Sequence, residues 1–515
     1  MLTSSQLRNK ELFSKISDAD TAASTIHDGM TIGVSGFTPA GYPKAVPHAL
    51  AEQVKGGRRC KVNIWSGASV GPEVEEELAA AGAVDMRLPY YAASNKSMRT
   101  GINDGTIRYT DIHLSHTAQQ VNYNFLGKVD VMIVEAIAVT EDGHLVLTTG
   151  VGNTPLLVQN ADRVIVELNT AQPAELEGMH DIYIQKKPPY RKPIPILTPR
   201  DRVGTPYTIC GIDKISHIVE TDIADKTRTL QPPNQKSRDI ARHLIDFLKY
   251  EVQHDRLPKG LLPFQSGVGS IANAVLEGLK NSGFQYLNMY SEILQDAVFD
   301  LIDAGVLDFA SGCAFTPSQS VLSRFRSDPE KYRSRIVLRP LDITNHPETT
   351  RRLGLITINT ALEIDIYGNV NSTHIMGTHV MNGIGGSADF TRNGYLTIFT
   401  TESTAKEDTI SRIVPMCSHI DSTEHDVHVF ITEWGVADVR GTSPRDRSRL
   451  IINRCAHPLY RDQLMDYVER AERDVGGHVP HLLDEAFSWH TKYRDKGTMY
   501  LQGGMEPEQA GEAAS

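Results

Sequence analysis

Cysteine is scarce: Cys60, Cys210, Cys313, Cys417 and Cys455 are scattered along 515 residues, with no C-x-x-C pair and an odd total. That spacing supports neither a zinc knuckle nor a disulfide framework, and we expect buried thiols in a reducing compartment. Long apolar runs are missing too, since no stretch approaches the roughly 18 to 20 residues of a membrane span. The opening Met1-Leu2-Thr3-Ser4-Ser5 lacks the apolar core of a secretory signal. The chain reads as soluble and cytoplasmic, with a mitochondrial location as the alternative. Positive charge is in deficit, 52 Lys and Arg against 63 Asp and Glu, for a net charge of -11. This excludes a general nucleic-acid binder, which needs clustered cations to release phosphate counterions. An anionic ligand must therefore be met by a local basic site.

Hydrophobic residues at 40% and charged residues at 22% have the balance of a globular chain with a substantial core. The length suggests two large units, and the sequence repeats itself. Asn63-Ile64-Trp65-Ser66-Gly67 matches Asn288-Met289-Tyr290-Ser291-Glu292, and Ala136-Ile137 matches Ala361-Leu362, both at an offset of 225 residues. Other matches lie near that offset, drifting only where loops absorb insertions. Each copy alternates helical patterns with apolar strand runs such as Val129-Asp130-Val131-Met132-Ile133-Val134. The expected fold is α/β: two similar, duplicated domains with mainly parallel sheets covered on both faces. We place the domains at residues 1–228 and 238–505, joined at 229–237 where Pro232-Pro233 interrupts the pattern before a helix from Ser237 to Tyr250. Residues 506–515 should form a disordered tail.

Gln265-Ser266-Gly267-Val268-Gly269-Ser270-Ile271-Ala272-Asn273 puts two glycines where a turn opens into a helix, so backbone amides can face a phosphate or oxyanion. Gly267-x-Gly269-x-x-Ala272 also fits a dinucleotide fingerprint, with Glu292 at the spacing of its ribose-binding acid. An NAD-dependent dehydrogenase is therefore a rival. Against it stand Pro263 beside the turn, the recurrence of the architecture in a first copy lacking the fingerprint, and a carboxylate that has arisen where that copy has Gly67. A duplication that gains one carboxylate points to a single chemical site. The bland alternative is a surface glutamate ending a strand.

Five ordered motifs bear on that choice: Gln265-Ser266-Gly267-Val268-Gly269, Tyr290-Ser291-Glu292, Asp365-Ile366-Tyr367-Gly368-Asn369-Val370-Asn371-Ser372, Met381-Asn382-Gly383-Ile384-Gly385-Gly386-Ser387 and Ile431-Thr432-Glu433-Trp434-Gly435. Together they resemble the acetyl-CoA hydrolase/transferase branch of class I CoA-transferases, most nearly the succinyl-CoA:acetate CoA-transferases. The likeness extends from Ser35-Gly36-Phe37-Thr38 to Tyr460-Arg461.

The resemblance implies CoA-transferase-like domains with the active site at their interface, acyl-CoA and small carboxylates as substrates, and a homodimer. Coenzyme A would be both substrate and covalent intermediate, with no metal and no redox cofactor. It makes Glu292 the nucleophile, Gly386 an oxyanion donor and Asn345 an assisting group, and it sets Glu433 beside the nucleophile to orient it. For CoA binding it implies Gly267, Val268, Gly269, Ser270, Ile271, Asn382, Gly386 and Lys406; Arg351-Arg352 is an electrostatic guess of ours. The first copy should supply the acyl pocket through Phe37, Tyr42 and the loop opening at Gly67. Water in place of the acceptor would make the same enzyme an acetyl-CoA hydrolase. His113-Leu114-Ser115-His116 lacks a third ligand at a recognisable spacing, so we assign no metal site.

Overall fold

The computed structural model describes residues 5–227 and 232–500; the proposed tail and part of the proposed joint lie outside them. Two eight-stranded sheets share one strand order. In the first, Arg108–Tyr109, Val84–Leu88, Val62–Trp65, Thr31–Val34, Val129–Val139, Ala161–Asn169 and Ile215–Thr221 run side by side in parallel, and Leu145–Leu147 pairs antiparallel with Val129–Val139. In the second, the order is Ile336–Leu338, Leu307–Gly312, Leu287–Tyr290, Phe264–Ser266, Ile356–Thr360, Leu396–Thr400 and Val429–Thr432, closed by the antiparallel strand Gly435–Asp438. The duplication extends to a local irregularity. The pairing register slips between Val62 and Asn63 in one copy and between Leu287 and Asn288 in the other, the same two positions at the offset of 225.

Parallel strands reach both faces through crossover helices, so their side chains are buried on both sides. Ten of the eleven residues of Val129–Val139 are buried accordingly. Helix Gln235–Gln253 starts two residues before the expected Ser237, because the Asn234 side chain accepts the Ser237 amide at 2.7 Å and caps it. The end of the proposed joint is thus already helix. Its stripe Ile240, Leu244, Ile245 and Leu248 is buried at the three- and four-residue spacing of one helix face.

The two halves are continuous with one another. The Val151 amide donates to the Cys313 carbonyl at 3.0 Å, and the Phe315 amide to that of Thr149 at 3.0 Å. Nearby, Arg339 forms a fully buried ion pair with Asp181. One hydrophobic cluster draws on both sheets, from Val134 and Val166 to Leu294 and Phe315. Among the described residues no helix is long and apolar enough to cross a membrane.

Candidate active site

Strand Leu287–Tyr290 delivers Glu292 to the seam. The Ser291 amide donates to Ser311 O at 2.9 Å, and the Glu292 carbonyl accepts the amides of Cys313 and Ala314 at 2.7 and 3.1 Å. These bonds fix the backbone on both sides of the side chain. The carboxylate enters a cleft of about 310 Å³ lined from the first half by Phe37, Thr38, Ala68, Ser69, Tyr90 and Leu114. The second half contributes Gly267, Val268, Asn382, Gly386 and Arg412, among others. Such a crevice, at the carboxyl ends of parallel strands, is where open α/β sheets bind ligands.

Asn345 Nδ2 donates a short hydrogen bond to Glu292 Oε1. Asn345 is wholly buried, and its Oδ1 accepts the Thr344 hydroxyl at 2.9 Å, so the direction of the carboxamide is set. Gly386 lies so close that a Cβ there would overlap the Glu292 carboxylate and crowd Asn345 Nδ2. Its φ of −92° is open to any residue, so close approach is the reason for glycine. Although its edge meets the cleft, Glu292 is surrounded by protein. Burial raises its pKa, the Asn345 bond opposes this, and the Asp389 charge adds to it, so the carboxyl is pushed up to about 7.

Gly267, Val268 and Asn382 line the cleft, and Gly269, at φ 123°, caps helix Ser270–Lys280. Ile271 is 7% exposed and belongs to the core, leaving only its backbone free to face a ligand. Lys406 is not among the lining residues; its Nζ donates to the Tyr493 hydroxyl at 2.8 Å. Arg352 pairs with Glu348, and Arg351 donates to Arg392 O at 3.3 Å, so neither reaches the cleft.

Three expectations need correction. Tyr42 does not line an acyl pocket: it is fully buried beneath the cleft wall, beside Lys44 and under Gly71, where a Cβ would strike its ring. Gly67 stands behind the wall, because a Cβ there would lie 2.8 Å from both Gly152 Cα and Gly36 O. Its neighbours Ala68 and Ser69 meet the cleft instead. Glu433 does not lie beside Glu292. Their strands are four positions apart in the sheet, about 19 Å at the usual strand spacing. Both oxygens of Glu433 are held by Ser403, its amide at 2.9 Å and its hydroxyl at 2.6 Å.

The sequence reading missed Asp389, Ser115, Tyr90 and Arg412. Asp389 accepts the amide and the hydroxyl of Ser115 at 2.9 and 2.6 Å, and Asn345 Nδ2 at 3.3 Å. Burial pushes its carboxyl upward against these donors. Its place in the Gly-Gly-Ser-Ala-Asp run was the one available signal. His113 and His116 make an edge-to-face ring contact, and no group of three or more potential metal ligands occurs among the described residues.

The family models for the N-terminal and C-terminal domains of acetyl-CoA hydrolase/transferase match residues 1–224 and 323–468. Succinyl-CoA:acetate CoA-transferase of Clostridium kluyveri is 53% identical over 499 residues, covering 97% of this chain and 92% of that protein. An acetyl-CoA hydrolase of Neurospora crassa is 43% identical over 511 residues, covering 96% and 97% respectively. The crystal structure of 4-hydroxybutyrate CoA-transferase from Porphyromonas gingivalis has a TM-score of 0.63 at 20% identity, over 90% of this chain and 99% of that one, a likeness of fold alone. With both family domains present in order, and identity extending nearly end to end, this chain is an enzyme of the acetyl-CoA hydrolase/transferase family.

Proposed function

We propose that the chain moves coenzyme A between an acyl-CoA, either acetyl-CoA or succinyl-CoA, and a small carboxylate such as acetate. The observation that carries this reading is the Glu292 carboxylate, set in an inter-domain cleft between a carboxamide donor and a glycine it nearly touches. One oxygen of Glu292 attacks the thioester carbonyl, the C–S bond breaks, and CoA leaves as thiolate with a mixed anhydride behind it. The thiolate then adds to the glutamyl carbonyl, the donor's acid departs as carboxylate, and Glu292 holds CoA as a thioester. An acceptor carboxylate opens that thioester by the same two steps in reverse. Acyl carbon exchanges oxygen for sulfur throughout, so no electrons are transferred and no redox cofactor is called for.

Both additions leave charge on a tetrahedral oxygen, where each fixed donor is worth about 3 kcal/mol. When the thiolate adds to the glutamyl carbonyl, the oxyanion forms on a Glu292 oxygen, and Asn345 Nδ2 already points at Oε1. The Gly386 backbone amide is the second donor in this reading. The turn Gly267–Gly269 and the first amides of helix Ser270–Lys280 would face the CoA chain with Asn382, while Lys406 would have to leave Tyr493 to join them. Phe37 would bound the acyl group from the first half. We take residues 1–228 as the carboxylate-side domain and 238–505 as the nucleophile and CoA domain, in a homodimeric cytoplasmic enzyme that sedimentation and cell fractionation test.

Relatives named acetyl-CoA hydrolase favour a second reading, in which water opens the same intermediate. Initial rates with varied acyl-CoA and acetate decide between the two. Parallel double-reciprocal lines, with hydroxylamine or borohydride modification at Glu292 after acyl-CoA treatment, support transfer. Intersecting lines and an unmodified Glu292 refute the covalent route, and CoA release that ignores acetate identifies the hydrolase.

A further inference from the structure

The loop that brings Gly386 to Glu292 is held at both ends by one short segment of the opposite half. At its near end, Asp111 Oδ2 accepts the Ile384 amide at 2.8 Å. Packing there is close, since a Cβ on Gly383 would lie 2.8 Å from Asp111 Oδ1, 2.7 Å from the Tyr90 ring and 2.5 Å from the Tyr109 hydroxyl. At its far end, Asp389 accepts both the amide and the hydroxyl of Ser115. Between these two points lie Gly385, at φ 61°, and Gly386. Asp389 has a further contact, with Asn345 Nδ2 at 3.3 Å, so it braces the same carboxamide that donates to Glu292. Leu114, between the two gripping residues, lines the cleft itself.

We propose that the segment from Asp111 to Ser115 positions the Gly385–Gly386 turn and, through Asp389, the Asn345 carboxamide, so that the half without a nucleophile sets the oxyanion geometry of the half that has one. Asp111, Ser115 and Asp389 are positioning residues here: none of them touches the reacting carbon. The inference rests on Glu292 being the nucleophile. It predicts a loss in the chemical step, because an amide donor displaced by about 1 Å costs on the order of 10²-fold in rate, while the CoA-facing residues Gly267, Val268 and Asn382 stay in place.

The test uses the full-length chain with Asp111→Ala, Asp111→Asn and Ser115→Ala. Asp111 is exposed as a residue, although its carboxyl is desolvated where it meets the loop and its pKa is pushed up to about 7; its variants lie outside the hydrophobic core, and asparagine keeps an oxygen for the Ile384 amide. Expected results are a kcat lowered about 10- to 100-fold in Asp111→Ala and about 10-fold in Ser115→Ala, KM for acyl-CoA within about threefold of wild type, and recovery of most of the rate in Asp111→Asn. Hydroxylamine trapping at Glu292 should persist in every variant but build up more slowly. Wild-type kcat in both Asp111→Ala and Ser115→Ala, or an Asp111→Asn enzyme as slow as Asp111→Ala, overturns the positioning role. Absence of trapping in wild type overturns instead the nucleophile reading beneath it.

Discussion

Replacing Glu292 by glutamine should abolish transfer and, at the same time, make the protein more stable above neutral pH. In the native state the carboxyl is held at about 7, against an ordinary glutamate value of 4.5, chiefly by burial. The folded protein thus binds this proton more tightly than the unfolded chain does. Its ionisation costs nothing below pH 4.5 and a growing amount as pH rises towards 7. A difference of about 2.5 in pKa is worth about 3 kcal/mol; the cost reaches roughly that figure at pH 8, is about 2 kcal/mol at pH 6 and falls below about 1 kcal/mol at pH 5. Glutamine keeps an oxygen for Asn345 Nδ2 and carries no charge, so it escapes the cost. With an unfolding entropy of about 2.1 cal/mol/K per residue, a chain of 515 residues unfolding as one unit should gain about 3 °C in Tm at pH 8. The gain should shrink to about 1 °C at pH 5. Scanning calorimetry of both proteins from pH 5 to 8 measures this directly. A glutamine enzyme no more stable than wild type at pH 8, or one with an offset that ignores pH, refutes the argument that the site holds an ionised carboxylate at a cost.

The same displaced pKa should appear in catalysis: kcat/KM for acyl-CoA should fall about tenfold per pH unit below about pH 7, and a profile flat down to pH 5 would show that the attacking group is ionised at its ordinary pKa. Gly386→Ala places a methyl group against Glu292 and Asn345, so kcat should drop about 10²- to 10³-fold in steady-state assays with little change in melting temperature. Lys44→Met acts elsewhere. Burial opposes the Lys44 charge, but the carboxylates of Asp225 and Glu135 outweigh it and hold the ammonium above the usual lysine range. Removing it strands both carboxylates inside the protein, and denaturation should show a loss of about 3 to 5 kcal/mol.

What the sequence made legible and what it hid divide along contact range. The parallel sheets and the duplication could be read because strand runs and repeats are properties of contiguous residues. Glu292 stood out because its counterpart at position 67 is glycine and because Tyr290-Ser291-Glu292 carries the family resemblance, and Gly386 was reached through that resemblance. Asp389 and Ser115 did not stand out: they are 274 residues apart, and nothing local marks either as the other's partner. Tyr42 shows a different limit, since an aromatic beneath a cleft wall and one on its surface have the same pattern in sequence. For Glu433 the strand-end position was legible, but its distance from Glu292 depends on strand order, which local pattern does not encode.

Strand order is common to the two copies, so the asymmetry between them lies in the side chains at equivalent strand ends. In the first copy, the position matching Glu292 is Gly67, packed against Gly36 and Gly152 so tightly that even a Cβ is excluded. The position matching Thr360, at the same offset, is Glu135, and the two differ sharply. Thr360 is exposed at the end of its strand and lines the cleft, whereas Glu135 is buried against Lys44, with Asn169 and Gln172 donating to it at 2.8 and 3.1 Å. Glu167 closes the same end of the sheet by accepting the amides of Lys44, Ala45 and Val46 at the start of helix Ala45–Lys55. One copy has therefore filled its crevice with paired charge, which has no free carboxylate to offer a thioester. The other has kept its crevice open, lined around Glu292 mostly by glycines and uncharged side chains, with Arg412 as the basic group. From the filled copy Phe37, Ala68 and Ser69 face the open one across the cleft.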